Sequence, residues 1–222
     1  MNAPVSDNKN ILIVEDHPLF CTMLTQLINN ESGMRVCGEA NNIYDAMTII
    51  EKGLADAAIV DITLKNSSGL ELLKNLQAHN IQLPVLVLSM HEEKLYAERV
   101  IRAGAKGYIS KLASPFEVIK AIKKVLEGHI YVSEFVSETI LERMRNIGKA
   151  SQPVGIEALS DREIEVFQLV GRGLNSKKIA NQLNLSSSTV DSYRARIKEK
   201  LNIKNAPELY QCAAQWLVKN NL

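Results

Sequence analysis

Cysteine is scarce and scattered: three residues, at positions 21, 37 and 212, with no pair at a metal-binding spacing. That excludes a zinc module or a disulfide framework and points to a reducing cytoplasm. Each cysteine reads as a small buried hydrophobe. No apolar run approaches the ~20 residues that cross a bilayer. The polar start, Met1–Asn10, lacks the hydrophobic stretch of a secretion signal. No membrane partner is therefore expected. Internal repeats and low-complexity tracts are absent as well. Net charge is only +1, but it is unevenly spread: residues 1–130 carry −2 and residues 154–222 carry +3. A basic C-terminal part fits a nucleic-acid footprint.

What is present is regular. With 46% hydrophobic residues, the chain can build ordinary cores. Short apolar runs near 10–14, 34–39, 57–60, 84–88 and 106–109 read as strands. Helical patterns near 17–30, 43–53, 69–79, 92–103 and 114–127 lie between them and after the last. Five βα repeats predict an α/β fold, a doubly wound five-stranded parallel sheet with helices on both faces. The expected boundaries are a first domain over 1–130, a linker over 131–154 and a second domain over 155–222. Gly148, Ser151, Pro153 and Gly155 mark the linker as breaker-rich. The last part reads as four helices, near 161–171, 175–182, 187–201 and 206–219. Ser160 and Glu163 form a capping box at the first of them.

Acids gather at strand ends. Glu15 and Asp16 follow the run Ile11–Val14, and Asp61 follows Ala57–Val60. Open α/β sheets place their chemistry at such carboxyl ends. Three carboxylates in one crevice repel one another unless a cation sits between them, and hard oxygen ligands suit Mg²⁺. Asp61 is the candidate nucleophile for a phosphoryl group, with Glu15 and Asp16 holding the ion. Ser89 and Lys111, at the ends of the fourth and fifth strands, offer a hydroxyl and a point charge for phosphate. One such acid alone reads equally well as a helix cap or turn former. Five suitable residues at four strand ends form the specific signal.

The C-terminal part carries a helix-turn-helix pattern. A short helix and turn precede Ser186–Leu201, a run with an apolar stripe at Val190, Ile197 and Leu201. Ser187, Ser188 and Thr189 place hydroxyls at a helix N-terminus, ready for a phosphate of double-stranded DNA. Lys177, Lys178, Arg194, Arg196 and Lys198 supply positive charge. Asp191, Ser192 and Ala195 share the outward face. Asp191 cannot bind phosphate, but it could accept a hydrogen bond from cytosine or reject other sequences. Tyr193 reads as a packing residue. The final helix has its own stripe, Leu209, Ala213, Trp216 and Leu217.

These stretches carry a family resemblance. Residues 9–127 resemble the receiver domain of two-component response regulators. The likeness lies in Ile11–Pro18, Val60–Leu64, Gly69–Leu72, Leu88–Glu92, Ala103–Lys111 and Ala121–Val125. Leu159–Val166, Gly173–Ala180, Leu183–Ser186, Ser188–Val190 and Lys200–Ile203 resemble the LuxR/FixJ-type DNA-binding domain. Together they are similar to the NarL/FixJ class. The resemblance implies that Asp61 is the phospho-acceptor from a sensor histidine kinase and that Glu15, Asp16, Asp61 and the carbonyl of Thr63 hold Mg²⁺. It implies that Ser89 and Tyr108 form the switch pair and that Lys111 meets the phosphoryl group. It further implies slow self-dephosphorylation, a homodimer built through Leu209, Ala213 and Trp216, and RNA polymerase as a partner. The chain departs from the pattern at Lys65-Asn66, where Pro-Gly is common, at Leu112 instead of Pro, and at Asp191 instead of Lys. The alternative reading keeps the DNA binding but puts the receiver under ligand or protein control without phosphorylation.

Overall fold

The computed structural model describes residues 8–64, 67–90, 93–134, 136–138, 141, 155–183 and 185–219. Lys65, Asn66 and most of the expected linker lie outside them. The chain divides into two compact units, Met1–Met144 and Arg145–Leu222.

The first unit is built on five parallel strands: β1 (Lys9–Val14), β2 (Met34–Ala40), β3 (Ala57–Asp61), β4 (Val85–Ser89) and β5 (Gly107–Ser110). Their order is β2-β1-β3-β4-β5. Helices α1 (Pro18–Asn29), α2 (Ile43–Glu51), α3 (Gly69–Ala78), α4 (Glu93–Arg102) and α5 (Pro115–Leu126) connect or follow them. The predicted α/β repeat is the observed one. The inner strands β3 and β4 and the Ile11–Val14 part of β1 are buried runs because both faces of the sheet are covered there. Ile11, Ile13, Ile59, Leu86 and Leu88 join Leu24, Ile28, Ile119 and Ile122 in one core cluster.

Helix ends follow local chemistry. Pro18 opens α1, where its missing N–H is harmless. Ser114 and Glu117 form a reciprocal capping box at α5. Beyond α5 the chain returns to the sheet. Tyr131 forms a parallel bridge with Gly107; its N–H donates to Lys106 O and its carbonyl accepts from Tyr108 N–H, both at 2.9 Å. The first residue of the expected linker is thus hydrogen-bonded to the edge of β5.

The second unit holds a short 3-10 turn, Gly155–Ala158, and helices α6 (Asp161–Gly171), α7 (Ser176–Leu183), α8 (Ser187–Lys200) and α9 (Ala206–Lys219). All four predicted helices are present; the 3-10 turn was not expected. Gly171 marks the crossing of α6 and α9, because a Cβ there would stand 2.8 Å from the Ala213 backbone. Trp216 meets Phe167 edge to face, with ring centroids 5.8 Å apart. Leu209 and Ala213 are fully buried and Leu217 nearly so. Leu209 and Ala213, expected at a dimer surface, are enclosed within this unit. The exposed large hydrophobics of α9 are Tyr210 and Val218.

Candidate phospho-acceptor site and nucleic-acid interface

Strand register assembles the acidic site. Val14 pairs with Val60, so the next residues, Glu15 and Asp61, emerge side by side. Asp61 pairs with Leu88, and Ser89 with Ser110, which brings the ends of β4 and β5 to the same edge. Lys111 N–H then donates to Ser89 O at 2.9 Å. The first residue of α3, Gly69, packs against the end of β3. A Cβ on Gly69 would run into the Asp61 carbonyl, so the close approach requires glycine.

Lys111 is the centre of the site. Its Nζ donates to Glu15 Oε2 at 2.6 Å and to Asp61 Oδ2 at 2.8 Å. All three side chains are buried, with Lys111 only 6% exposed. The set carries one positive and two negative charges, so Lys111 compensates the buried carboxylates and its loss leaves both without a partner cation. The ammonium also lies 4.5 Å from the centre of the Phe20 ring. Burial pushes the Asp61 carboxyl up to about 6, against the Lys111 ammonium, which pulls it down. Thr63 N–H donates to Asp61 Oδ1 at 3.2 Å. Ser89 and Tyr108 are both buried near this edge.

The donor set fits a hard divalent ion. Ligand atoms of Glu15, Asp16, His17 and Asp61 all lie within 4.8 Å of one another. Asp16 Oδ1 is buried and accepts no hydrogen bond among the described residues. It stands 3.0 Å from His17 Nδ1, an ion-pair distance if the ring is charged. Carboxylate oxygens converging in this way suit Mg²⁺. His17 and Phe20 were not singled out in the sequence. His17 directly follows the acidic pair, a signal that could have found it; nothing in the pattern marks Phe20.

In the second unit the helix-turn-helix residues are displayed outward. Lys177, Lys178, Ser187, Ser188, Asp191, Ser192, Ala195 and Arg196 are exposed, and Thr189, Arg194 and Lys198 are half-buried. Val190 and Ile197 turn inward. Ser186 caps α8 by accepting from Thr189 N–H at 3.0 Å. Asp191 is engaged within the unit. Ser176 Oγ donates to its Oδ1 at 2.6 Å, and Arg194 donates to Ser176 Oγ at 2.9 Å. Ser176 was absent from the sequence expectation, since its partner lies 15 residues away. Lys200 donates to the buried Glu163 carboxylate at 2.6 Å, joining α8 to the start of α6.

Fold and site together define a response regulator with two domains. Residues 11–123 match the response regulator receiver domain, and residues 157–213 match the bacterial regulatory proteins of the luxR family. The chain belongs to the two-component response regulators of the NarL/FixJ family and carries a LuxR-type DNA-binding domain. It is 34% identical to the virulence-factor positive transcription regulator BvgA of Bordetella pertussis, over 96% of this chain and 98% of that protein. It is 31% identical to response regulator UvrY of Escherichia coli K12, over 92% of this chain and 93% of that one. Among solved structures it resembles RcsB of Salmonella enterica serovar Typhimurium bound to the promoter rprA with the phosphomimetic BeF3−. There the TM-score is 0.60 and identity 25%, over 93% of this chain and 98% of that one. No helix among the described residues is long and apolar enough to cross a membrane.

Proposed function

We propose that Asp61 accepts a phosphoryl group from a sensor histidine kinase and that this modification controls DNA binding by the C-terminal domain. One observation carries the reading: the Lys111 ammonium is seated between the Glu15 and Asp61 carboxylates. A carboxylate oxygen of Asp61 attacks phosphorus, the phosphorus–nitrogen bond of the donor breaks, and the electron pair leaves with the imidazole. Lys111 stays beside the product oxygens as a fixed positive charge. Glu15, Asp16, Asp61 and the Thr63 carbonyl would hold Mg²⁺, which neutralises charge on the phosphoryl group. Ser89 moves toward the new oxygens and Tyr108 follows. Tyr108 N–H is bonded to the Tyr131 carbonyl, so this movement bears on the chain leading to the second domain. Slow hydrolysis of the acyl phosphate resets the state.

The proposed domain boundaries are 1–130, 131–154 and 155–222. The DNA-binding domain meets duplex DNA through α7 and α8. Lys177, Lys178, Arg196 and Lys198 would serve phosphates, and Ser192 and Ala195 would face bases. RcsB structures described as promoter-bound and as dimers on DNA support a homodimer on DNA for this chain. A cytoplasmic location and contact with RNA polymerase complete the proposal. Acetyl phosphate with Mg²⁺ should add one phosphoryl group by intact mass. Undiminished labelling of Asp61→Asn, or labelling in excess chelator, would refute it.

A further inference from the structure

We infer that His17 is an additional ligand of the divalent ion at the acidic cluster, biasing it toward late first-row ions such as Co²⁺ relative to Mg²⁺. This rests on the proposed presence of a divalent ion there, and it concerns a residue outside the expected ligand set.

His17 is the residue before α1, with φ −94° and ψ 106°, and its side chain makes no capping hydrogen bond. The ring folds back over the acids instead. Its Nδ1 lies 3.0 Å from Glu15 Oε1 and 3.0 Å from Asp16 Oδ1. Its own backbone N–H donates to Glu15 Oε1, also at 3.0 Å. Neighbouring ligands of an octahedral ion with bonds of about 2.1 Å stand about 3.0 Å apart, so the two separations from Nδ1, of which the Glu15 one is also a hydrogen bond, are those of neighbouring ligands around such an ion. Lys111 occupies Glu15 Oε2 and Asp61 Oδ2. The oxygens turned toward His17 are Glu15 Oε1 and Asp16 Oδ1, and the latter accepts no hydrogen bond among the described residues.

An imidazole nitrogen discriminates among ions where carboxylates do not. It binds Co²⁺, Ni²⁺ and Zn²⁺ well and adds little for Mg²⁺, which prefers oxygen and keeps its waters. A site of oxygens alone would follow the hard-ion pattern; one nitrogen tilts it. The ring is 70% exposed. It can therefore be replaced without opening the core, and the test is one of ligation rather than folding.

The experiment uses the full chain without an affinity tag. Co²⁺ is titrated and followed by its visible absorption, and Mg²⁺ affinity is measured by competition, in the native protein and in His17→Ala and His17→Gln. The expected result is a fall of on the order of tenfold or more in the Co²⁺-over-Mg²⁺ preference in both variants, with Mg²⁺ affinity held. An unchanged preference, or equal weakening of both ions, overturns the inference. Acetyl phosphate labelling of the same variants in Mg²⁺ reports separately on the phospho-acceptor. Labelling retained with preference unchanged removes only the His17 role, whereas labelling absent from the native chain removes the phospho-acceptor reading.

Discussion

Ser176 and Asp191 clasp the two helices of the helix-turn-helix: the Ser176 hydroxyl donates to Asp191 Oδ1 at 2.6 Å. Arg194 donates to the same hydroxyl, so the three side chains form one chain of hydrogen bonds. An acid would repel phosphate if α8 meets DNA as proposed, yet here it holds Ser176 and, through that hydroxyl, Arg194. Asp191→Ala is expected to raise affinity for random duplex while lowering discrimination for the operator by roughly fivefold, about the net worth of one hydrogen bond. Asp191→Asn keeps an acceptor and should retain the discrimination. Fluorescence anisotropy on both duplexes measures it; equal behaviour of the two variants contradicts the clasp. Lys178→Ala is the contrast. It should weaken all sequences alike and reduce the salt slope by roughly one unit.

Removal of Lys111 should cost stability first and chemistry second. Lys111→Ala leaves Glu15 and Asp61 buried together without their shared cation. Breaking such a pair costs about 3–5 kcal/mol. A divalent ion between the acids replaces part of the missing charge, so Mg²⁺ should raise the melting temperature of the variant more than that of the native chain. Circular dichroism melts with and without Mg²⁺ test this. Equal Mg²⁺ effects on the two proteins argue against cation sharing.

The Glu163–Lys200 contact predicts an acid limit for the C-terminal domain. Burial works against the charge of Glu163, but the hydrogen bond from Lys200 and those from Ser160 overcome it and hold the carboxyl below its usual value of 4.5. A depressed carboxyl contributes stability that is present above the unfolded value and lost as pH falls through the folded one. The domain should therefore weaken as pH drops below 4.5, and Glu163→Gln should flatten that dependence. Trp216, the single tryptophan of the chain, reports this domain through its fluorescence. A native profile as flat as that of the variant counts against the contact.

A dimer built through α9 must use its outer side. Leu209 and Ala213 are fully buried, while Tyr210 and Val218 are 50% and 78% exposed. Val218→Glu is expected to weaken dimerisation on DNA at least tenfold with little change in melting temperature. Ala213→Leu should instead destabilise the domain by about 1–3 kcal/mol through overpacking. Sedimentation on operator DNA separates the cases. Unaltered assembly of Val218→Glu moves the interface away from this face.

The sequence by itself determined the strands, the helices and the residues that gather at the sheet edge. Parallel strands covered on both faces read as apolar runs, and the polar residues that close each run mark its carboxyl end. Glu15, Asp61, Ser89 and Lys111 were therefore legible by their position after a run, without any contact being known. The capping residue Ser160 was equally legible, because its partner Glu163 lies three residues away. What only the tertiary structure decided were partnerships over long separations. Lys111 reaches Glu15 across 96 residues and Asp61 across 50. Ser176 reaches Asp191, and Lys200 reaches Glu163. The stripe on α9 shows the same limit: periodicity reveals that Leu209 and Ala213 face something apolar, but it does not tell an intradomain helix from a second protomer. That choice belongs to the packing of α9 on α6, where Gly171 lets the two backbones approach too closely for any larger side chain.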